Sequence, residues 1–190
     1  MSNKRLPLLL IAAVLLATGC STGSGGTSAS ATAAPATTRS AETARSDADL
    51  ARSLYQQLSQ TPGFAQAHVN VDSFNGYVLL TGQVPNQELR SQAEQQAQAA
   101  QGARAVHNAL VVGANTSPWQ RMQDTWITTR VVSSLRTASA IDSSRLHVIT
   151  ENGVVYMMGL IRPYEADNLV NIAGRVAGVR SVVKVFEFVQ

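Results

Sequence analysis

The chain has one cysteine, Cys20. That excludes a disulfide framework and a thiolate-ligated metal site within one molecule. Its three histidines, His68, His107 and His147, are scattered. None has a second histidine at i+4, and none belongs to the constellation that a zinc site or a nucleophilic triad needs. They read as structural or solvent-facing residues, because catalytic sites are recognised by constellation. The glycines Gly76, Gly82, Gly153 and Gly159 form no phosphate-cradling loop, since no helix follows them in the required arrangement. No Lys/Arg stripe runs through the sequence, which removes the usual electrostatic footprint for nucleic acid. The apolar run from Leu6 to Ala17 is too short to cross a bilayer. The expectation is therefore a protein that is not an enzyme and needs no metal or cofactor.

What the start of the chain does contain is Lys4 and Arg5, the Leu6–Ala17 run broken by Pro7, and then Thr18-Gly19-Cys20. This is the basic region, apolar region and small-residue cleavage site of a signal peptide over residues 1–19. Cys20 directly after the small residues resembles the lipobox of bacterial lipoproteins, with Ala17 where leucine is commonest. The resemblance implies acylation of Cys20 and, with Ser21 rather than Asp following, sorting to the outer membrane. An ordinary secretory signal with a free cysteine is the other reading. Several acyl chains, at about 0.8 kcal/mol per buried methylene, would make a lasting anchor. Without Lys4 and Arg5 the basic residues fall from 15 to 13 against 12 acidic ones, a net charge of +1. Residues 20–46 are mostly Ser, Thr, Ala and Gly with one proline, and read as the lipidated cysteine and a flexible tether.

An internal repeat organises the rest. FNGYVLLTGQV at Phe74–Val84 and ENGVVYMMGLI at Glu151–Ile161 are one phrase shifted by 77 residues. Leu50, Leu54 and Leu58 match Ile127, Val131 and Leu135 at the same offset, and Gly102, Val106 and Leu110 match Gly178, Val182 and Phe186 at 76. Each copy reads helix, strand, strand, helix, strand. In the first, Asp47–Ser59 is helical with Asp47 as N-cap, and Thr61-Pro62-Gly63 stops it. Strand His68–Ser73, the Asn75-Gly76 turn and strand Tyr77–Gln83 make a hairpin. Helix Glu88–Ala100 and strand Ala105–Val112 complete the unit. The second runs through Trp126–Thr137, Arg145–Thr150, Val154–Gly159, Pro163–Val176 and Ser181–Val189. Gly82 and Gly159 mark a bulge or a close backbone approach, and Glu88 and Glu165 sit in first helical turns, where a carboxylate suits the dipole. The expected fold is α+β, each unit placing two helices on one face of a three-stranded mixed sheet, with boundaries at 47–113 and 119–190.

This order of elements and the x-G-x-V-x-L/M-x-G-x-V/I phrase resemble the BON domain, a small bacterial envelope module. The second copy, through DTWITTRV, ITENGVVYMMGLI and RVAGVRSVVKVFEFV, is similar to outer-membrane lipoproteins of that family. The resemblance implies binding of anionic phospholipid through the first helix of the second unit, and a role in envelope integrity and at division sites.

The residues of that helix support a separate argument. In Asp124–Leu135 the stripe Ile127, Val131 and Leu135 faces a core, while Trp126, Thr129, Arg130, Ser133 and Thr137 fall elsewhere. Trp126 either tucks against a neighbouring element or enters an interface. An exposed indole beside a guanidinium and small hydroxyls suits a headgroup region. Residues 45–113 hold four basic and five acidic side chains, net −1, and 119–190 eight and six, net +2. The first copy has Asp49 in place of Trp126, with Tyr55 and Gln56 near the positions of Arg130–Val132. Its helix face is assigned to packing against the sibling unit or to protein contacts. The candidate contact residues are thus Trp126, Thr129, Arg130, Ser133, Arg136 and Thr137, with Cys20 as the lipidation site. The partner is anionic phospholipid, phosphatidylglycerol or cardiolipin, at the periplasmic face of the outer membrane. The alternative is an adaptor that docks outer-membrane assembly proteins with the same helix face.

Overall fold

The structure, a computed structural model, describes residues 39–138 and 143–190. The signal peptide, Cys20 and most of the tether lie outside the described residues. Each repeat has the expected order. The first runs α1 (Ala41–Gln60), β1 (His68–Phe74), β2 (Tyr77–Val84), α2 (Gln87–Ala99), β3 (Ala105–Asn108) and β4 (Val111–Val112). The second runs α3 (Pro118–Ala138), β5 (Leu146–Glu151), β6 (Val154–Ile161), α4 (Pro163–Gly174) and β7 (Ser181–Phe188). In both sheets the central strand pairs antiparallel with the hairpin strand before it and parallel with the last strand, so the sheets are mixed.

The leading helices are longer than the expected spans and begin at equivalent places, Ala41 and Pro118. Ser40 and Ser117, 77 residues apart, cap them: Thr43 N donates to Ser40 Oγ at 3.0 Å and Gln120 N to Ser117 Oγ at 3.1 Å. Pro118 suits the first helical position, where its missing N–H is not needed. The start of α1 falls inside the stretch read as tether. An ion pair from Arg39 to Asp47, 2.9 Å, helps to hold that start in place.

Asp47 is therefore not an N-cap. It is buried within α1 and accepts hydrogen bonds from Asn75 N at 2.7 Å and Gly76 N at 2.8 Å. Asp124 does the same in α3 for Asn152 N and Gly153 N, both at 2.8 Å. In both turns the Asn and Gly adopt positive φ, as a two-residue hairpin turn requires. Each leading helix is thus tied by one carboxylate to the turn of its own hairpin. The expected close approach at Gly82 is present, since a Cβ there would stand 1.9 Å from His68 O. At Gly159 it would stand 2.5 Å from Arg145 O. The expected last strand of the first unit is broken: Leu110 turns into the core, and Asn108 Oδ1 accepts from Leu110 N where the ladder is interrupted.

Two cores lie between helices and sheets. Leu50, Leu54, Leu58, Val78, Leu80 and Ala93 belong to the first, and Ile127, Val131, Leu135, Val155, Met157 and Leu169 to the second. A third cluster joins the repeats. Phe74 and Leu79 pack with Tyr156, Met158, Leu160 and Val185, which alternate with the helix-facing residues of their strands. The two sheets therefore meet through their open faces. Polar links rim this contact: Arg104 with Glu187 at 2.9 Å, Gln83 Nε2 with Glu151 Oε1 at 2.7 Å, and His147 Nε2 with Asp72 Oδ1 at 3.0 Å. The sibling packing assigned to the first unit's helix face is thus made by the sheets instead, and Tyr55 on α1 stays exposed. With the sheets back to back, the outer face of α3 is turned away from the sibling repeat.

Candidate functional site

Asp124 fixes the rotation of α3 about its own axis. With Asp124, Ile127, Val131 and Leu135 buried, the 3.6-residue period sends Trp126 to the opposite side. The indole is 49% exposed, and the Arg130 guanidinium lies over its ring at 4.6 Å from the centroid. Thr129, Ser133, Arg136 and Thr137 are also exposed. The Thr129 and Thr137 hydroxyls donate back to the carbonyls of Thr125 and Ser133. Arg130 and Arg136 have no acidic partner among the described residues. Arg136, in the last turn, also suits the negative end of the helix dipole.

The additional first turns of α3 bring two residues that the sequence reading missed. Trp119 is 64% exposed and Met122 60% exposed. With Trp126 they stand at i, i+3 and i+7, one stripe down the outward face. The signal was present in Ser117-Pro118, a helix-start pair, followed by this spacing. The apolar residues of α3 are thus divided between two opposite faces, one in the core and one outside. Two depressions flank Trp126. One, of about 540 Å³, is lined by Gln120, Gln123, Trp126, Gly153, Gly178 and Arg180 among others. The other, of about 460 Å³, is lined by Trp126, Arg130, Ser134, Ile172, Arg175 and Ala177 among others.

Of the remaining candidates, His147 does acquire a carboxylate neighbour, but Asp72 comes from the other repeat and belongs to the seam. His68 stands 3.4 Å from Asn70 Nδ2 within its own strand, and the His107 ring lies tilted 6.4 Å from that of Tyr156. Among the described residues no three His, Cys, Asp or Glu side chains gather as a metal site would require. Glu165 is architectural. It accepts from the Arg162 backbone N–H at 2.8 Å and pairs with the buried Arg145 at 2.9 Å. Burial opposes its charge, but the Arg145 hydrogen bonds and the Arg162 N–H outweigh that and hold its carboxyl below the usual value. No helix among the described residues is long and apolar enough to cross a membrane.

A doubled helix-strand-strand-helix-strand unit, each copy with its own mixed sheet, defines a pair of α+β modules. The chain belongs to the BON domain family, whose model matches residues 46–114 and 123–190. It is 36% identical over 124 residues, 65% of its length, to "Outer membrane lipoprotein DolP" of Haemophilus influenzae, and the match spans 64% of that protein. It is 35% identical over 157 residues to "21 kDa hemolysin" of Actinobacillus pleuropneumoniae, covering 82% of this chain and 81% of that one. Among solved structures, the C-terminal domain of CdsD, a type III secretion protein of Chlamydia trachomatis, is similar at 17% identity and a TM-score of 0.30. That comparison covers 76% of this chain and 67% of the other.

Proposed function

We propose that this chain is a non-enzymatic envelope lipoprotein, anchored through acylated Cys20 at the periplasmic face of the outer membrane. Its second BON unit makes a separate, reversible contact with anionic phospholipid through α3. The DolP relative is named an outer membrane lipoprotein, in keeping with the lipobox-like Thr18-Gly19-Cys20. The reading is carried by one observation: Trp119, Met122 and Trp126 stand exposed in a single stripe beside Arg130. Interfacial helices bind by buried apolar area plus attraction to anionic lipid. A basic residue near such a surface contributes about 1 kcal/mol. A tether joining anchor and helix raises the effective concentration of lipid at α3, so a modest helix affinity suffices to hold the domain at patches rich in phosphatidylglycerol or cardiolipin. The biological role that follows is support of envelope integrity, including at division sites.

The test uses residues 20–190, the chain without its signal peptide, with Cys20→Ala, so that neither an acyl group nor the Leu6–Ala17 apolar run contributes. It is expected to co-sediment with phosphatidylglycerol vesicles and to lose that binding on Trp126→Glu, with circular dichroism unchanged. A chain that ignores protein-free vesicles, yet needs Trp126 to co-purify with outer-membrane assembly proteins, would establish the adaptor reading instead.

A further inference from the structure

We propose that the loop from Arg175 to Arg180, between α4 and β7, is the second half of the lipid contact. In this arrangement Arg175 and Arg180 receive phospholipid phosphates in the two depressions on either side of Trp126. The inference rests on the α3 reading above and adds a second element and two cations to it.

The geometry comes first. The loop is held against α3 and the hairpin turn. Val179 N donates to Val176 O at 3.1 Å and Arg180 N to Gly153 O at 2.8 Å. Gly178 takes φ +92 and approaches Ile127 so closely that a Cβ would lie 3.0 Å from Ile127 Cδ1. The Arg180 stem lies over Gly153, where a Cβ would meet its Cδ and Cγ at 3.0 Å. This is a set wall, so ordering it on binding costs little. Trp126 lines both depressions, Arg180 lines one, and Arg130 with Arg175 line the other.

Charge is the second argument. Residues 125–138 contain Arg130 and Arg136 and no acid, and residues 168–186 contain Arg175, Arg180 and Lys184 and no acid. Lys184 pairs with Asp167 at 3.4 Å. Arg175 has no side-chain hydrogen bond among the described residues, and Arg180 makes one, to Asn152 Oδ1 at 3.4 Å. A surface of guanidinium groups without an acidic partner among the described residues, beside an exposed indole, is complementary to a layer of phosphodiesters over acyl chains.

The repeat supplies an internal control. At the offset of 76, Arg180 corresponds to Arg104 and Arg175 to Ala99; at 77, Arg130 corresponds to Ser53 and Trp126 to Asp49. Arg104 keeps the same stem-over-glycine packing on Gly76, but its guanidinium is held by Glu187 across the seam at 2.9 Å through both nitrogens. One architectural arginine therefore locks the repeats together, while its counterpart is left without an acid at the edge of the aromatic face. The first copy lacks every other part of the arrangement.

The experiment compares variants of the Cys20→Ala chain over residues 20–190 on vesicles of phosphatidylglycerol mixed with phosphatidylcholine. Arg175→Gln with Arg180→Gln is expected to bind about thirtyfold more weakly, roughly fivefold per charge. Its binding should also depend less on salt. Arg175→Gln alone, at a side chain without hydrogen bonds, should lose about fivefold and guards against a folding defect from loss of the Asn152 contact. Arg45→Gln with Arg52→Gln, the same change in net charge on α1, should stay within about twofold. Unchanged affinity in the loop variants, or an equal loss in the α1 variant, overturns the loop's role; if Trp126→Glu still abolishes binding, α3 stands without it. Failure of the unsubstituted chain to bind at all removes the α3 reading and the loop with it.

Discussion

Asp47 and Asp124 carry out one task twice, each closing a hairpin turn from within a helix, and Asp124 lies two residues from Trp126. Replacing Asp124 with Ala leaves two backbone N–H groups of the turn without an acceptor. The expected loss is about 1–3 kcal/mol, read from the urea midpoint. Glu165 sets a pH dependence. Its carboxyl is held below the ordinary 4.5 in the folded state, so the unfolded chain takes up the proton first as pH falls. Its contribution is whole above about pH 4.5 and is lost as pH drops through the lower folded value. Glu187 has the same sign: burial opposes its charge, and the hydrogen bonds from Arg104 and Asn75 outweigh it. The urea midpoint is expected to stay flat from neutral pH to about 5 and to fall below 4.5, with a shallower fall in Glu165→Gln. A midpoint that rises on acidification would contradict this. The helical period already put Trp126 and Arg130 off the core stripe of Ile127, Val131 and Leu135, and both are exposed. The role of Asp124 was not legible, because a carboxylate that binds a turn 28 residues away leaves no local pattern.

At the scale of elements, the repeat made the hairpins readable. Asn-Gly, twice, between apolar strands specifies a positive-φ turn, and the structure has both turns there. The starts of the leading helices were harder to read. Ala41–Ser46 continues the Ser, Thr and Ala character of the stretch before it, and in the structure the Ser40 cap and the Arg39–Asp47 ion pair support it as the first turns of a helix. The same shift of start exposed Trp119 and Met122 as part of the α3 face. Trp119→Ser with Met122→Ser should weaken phosphatidylglycerol binding about tenfold, or ~1.4 kcal/mol, less than full burial of one such side chain would give. Flotation with the Cys20→Ala chain reads this directly, and unchanged binding would confine the contact to the later turns of α3.

At the largest scale, the described residues form two modules fused through their sheets, and this was the part least visible in the sequence. The run VVYMMGLI lacks polar alternation, the mark of a strand covered on both faces. Its partner phrase carries Thr81 and Gln83 on the joining face, and the pattern is blurred there. Leu79, fully buried in the seam, tests the junction. Leu79→Ala is expected to cost about 2–5 kcal/mol. In the unsubstituted chain, urea curves from far-ultraviolet circular dichroism and from tryptophan fluorescence should coincide. Both tryptophans lie in the second repeat, so separated curves would show the repeats unfolding independently. The same two indoles give the most direct test of membrane contact. With the Cys20→Ala chain and phosphatidylglycerol vesicles brominated near the headgroup end of the acyl chains, tryptophan emission should shift to the blue and be quenched. Phosphatidylcholine vesicles should leave it unchanged. Emission that ignores both lipids, in a chain that nonetheless sediments with phosphatidylglycerol, would place the contact elsewhere and contradict the assignment to α3.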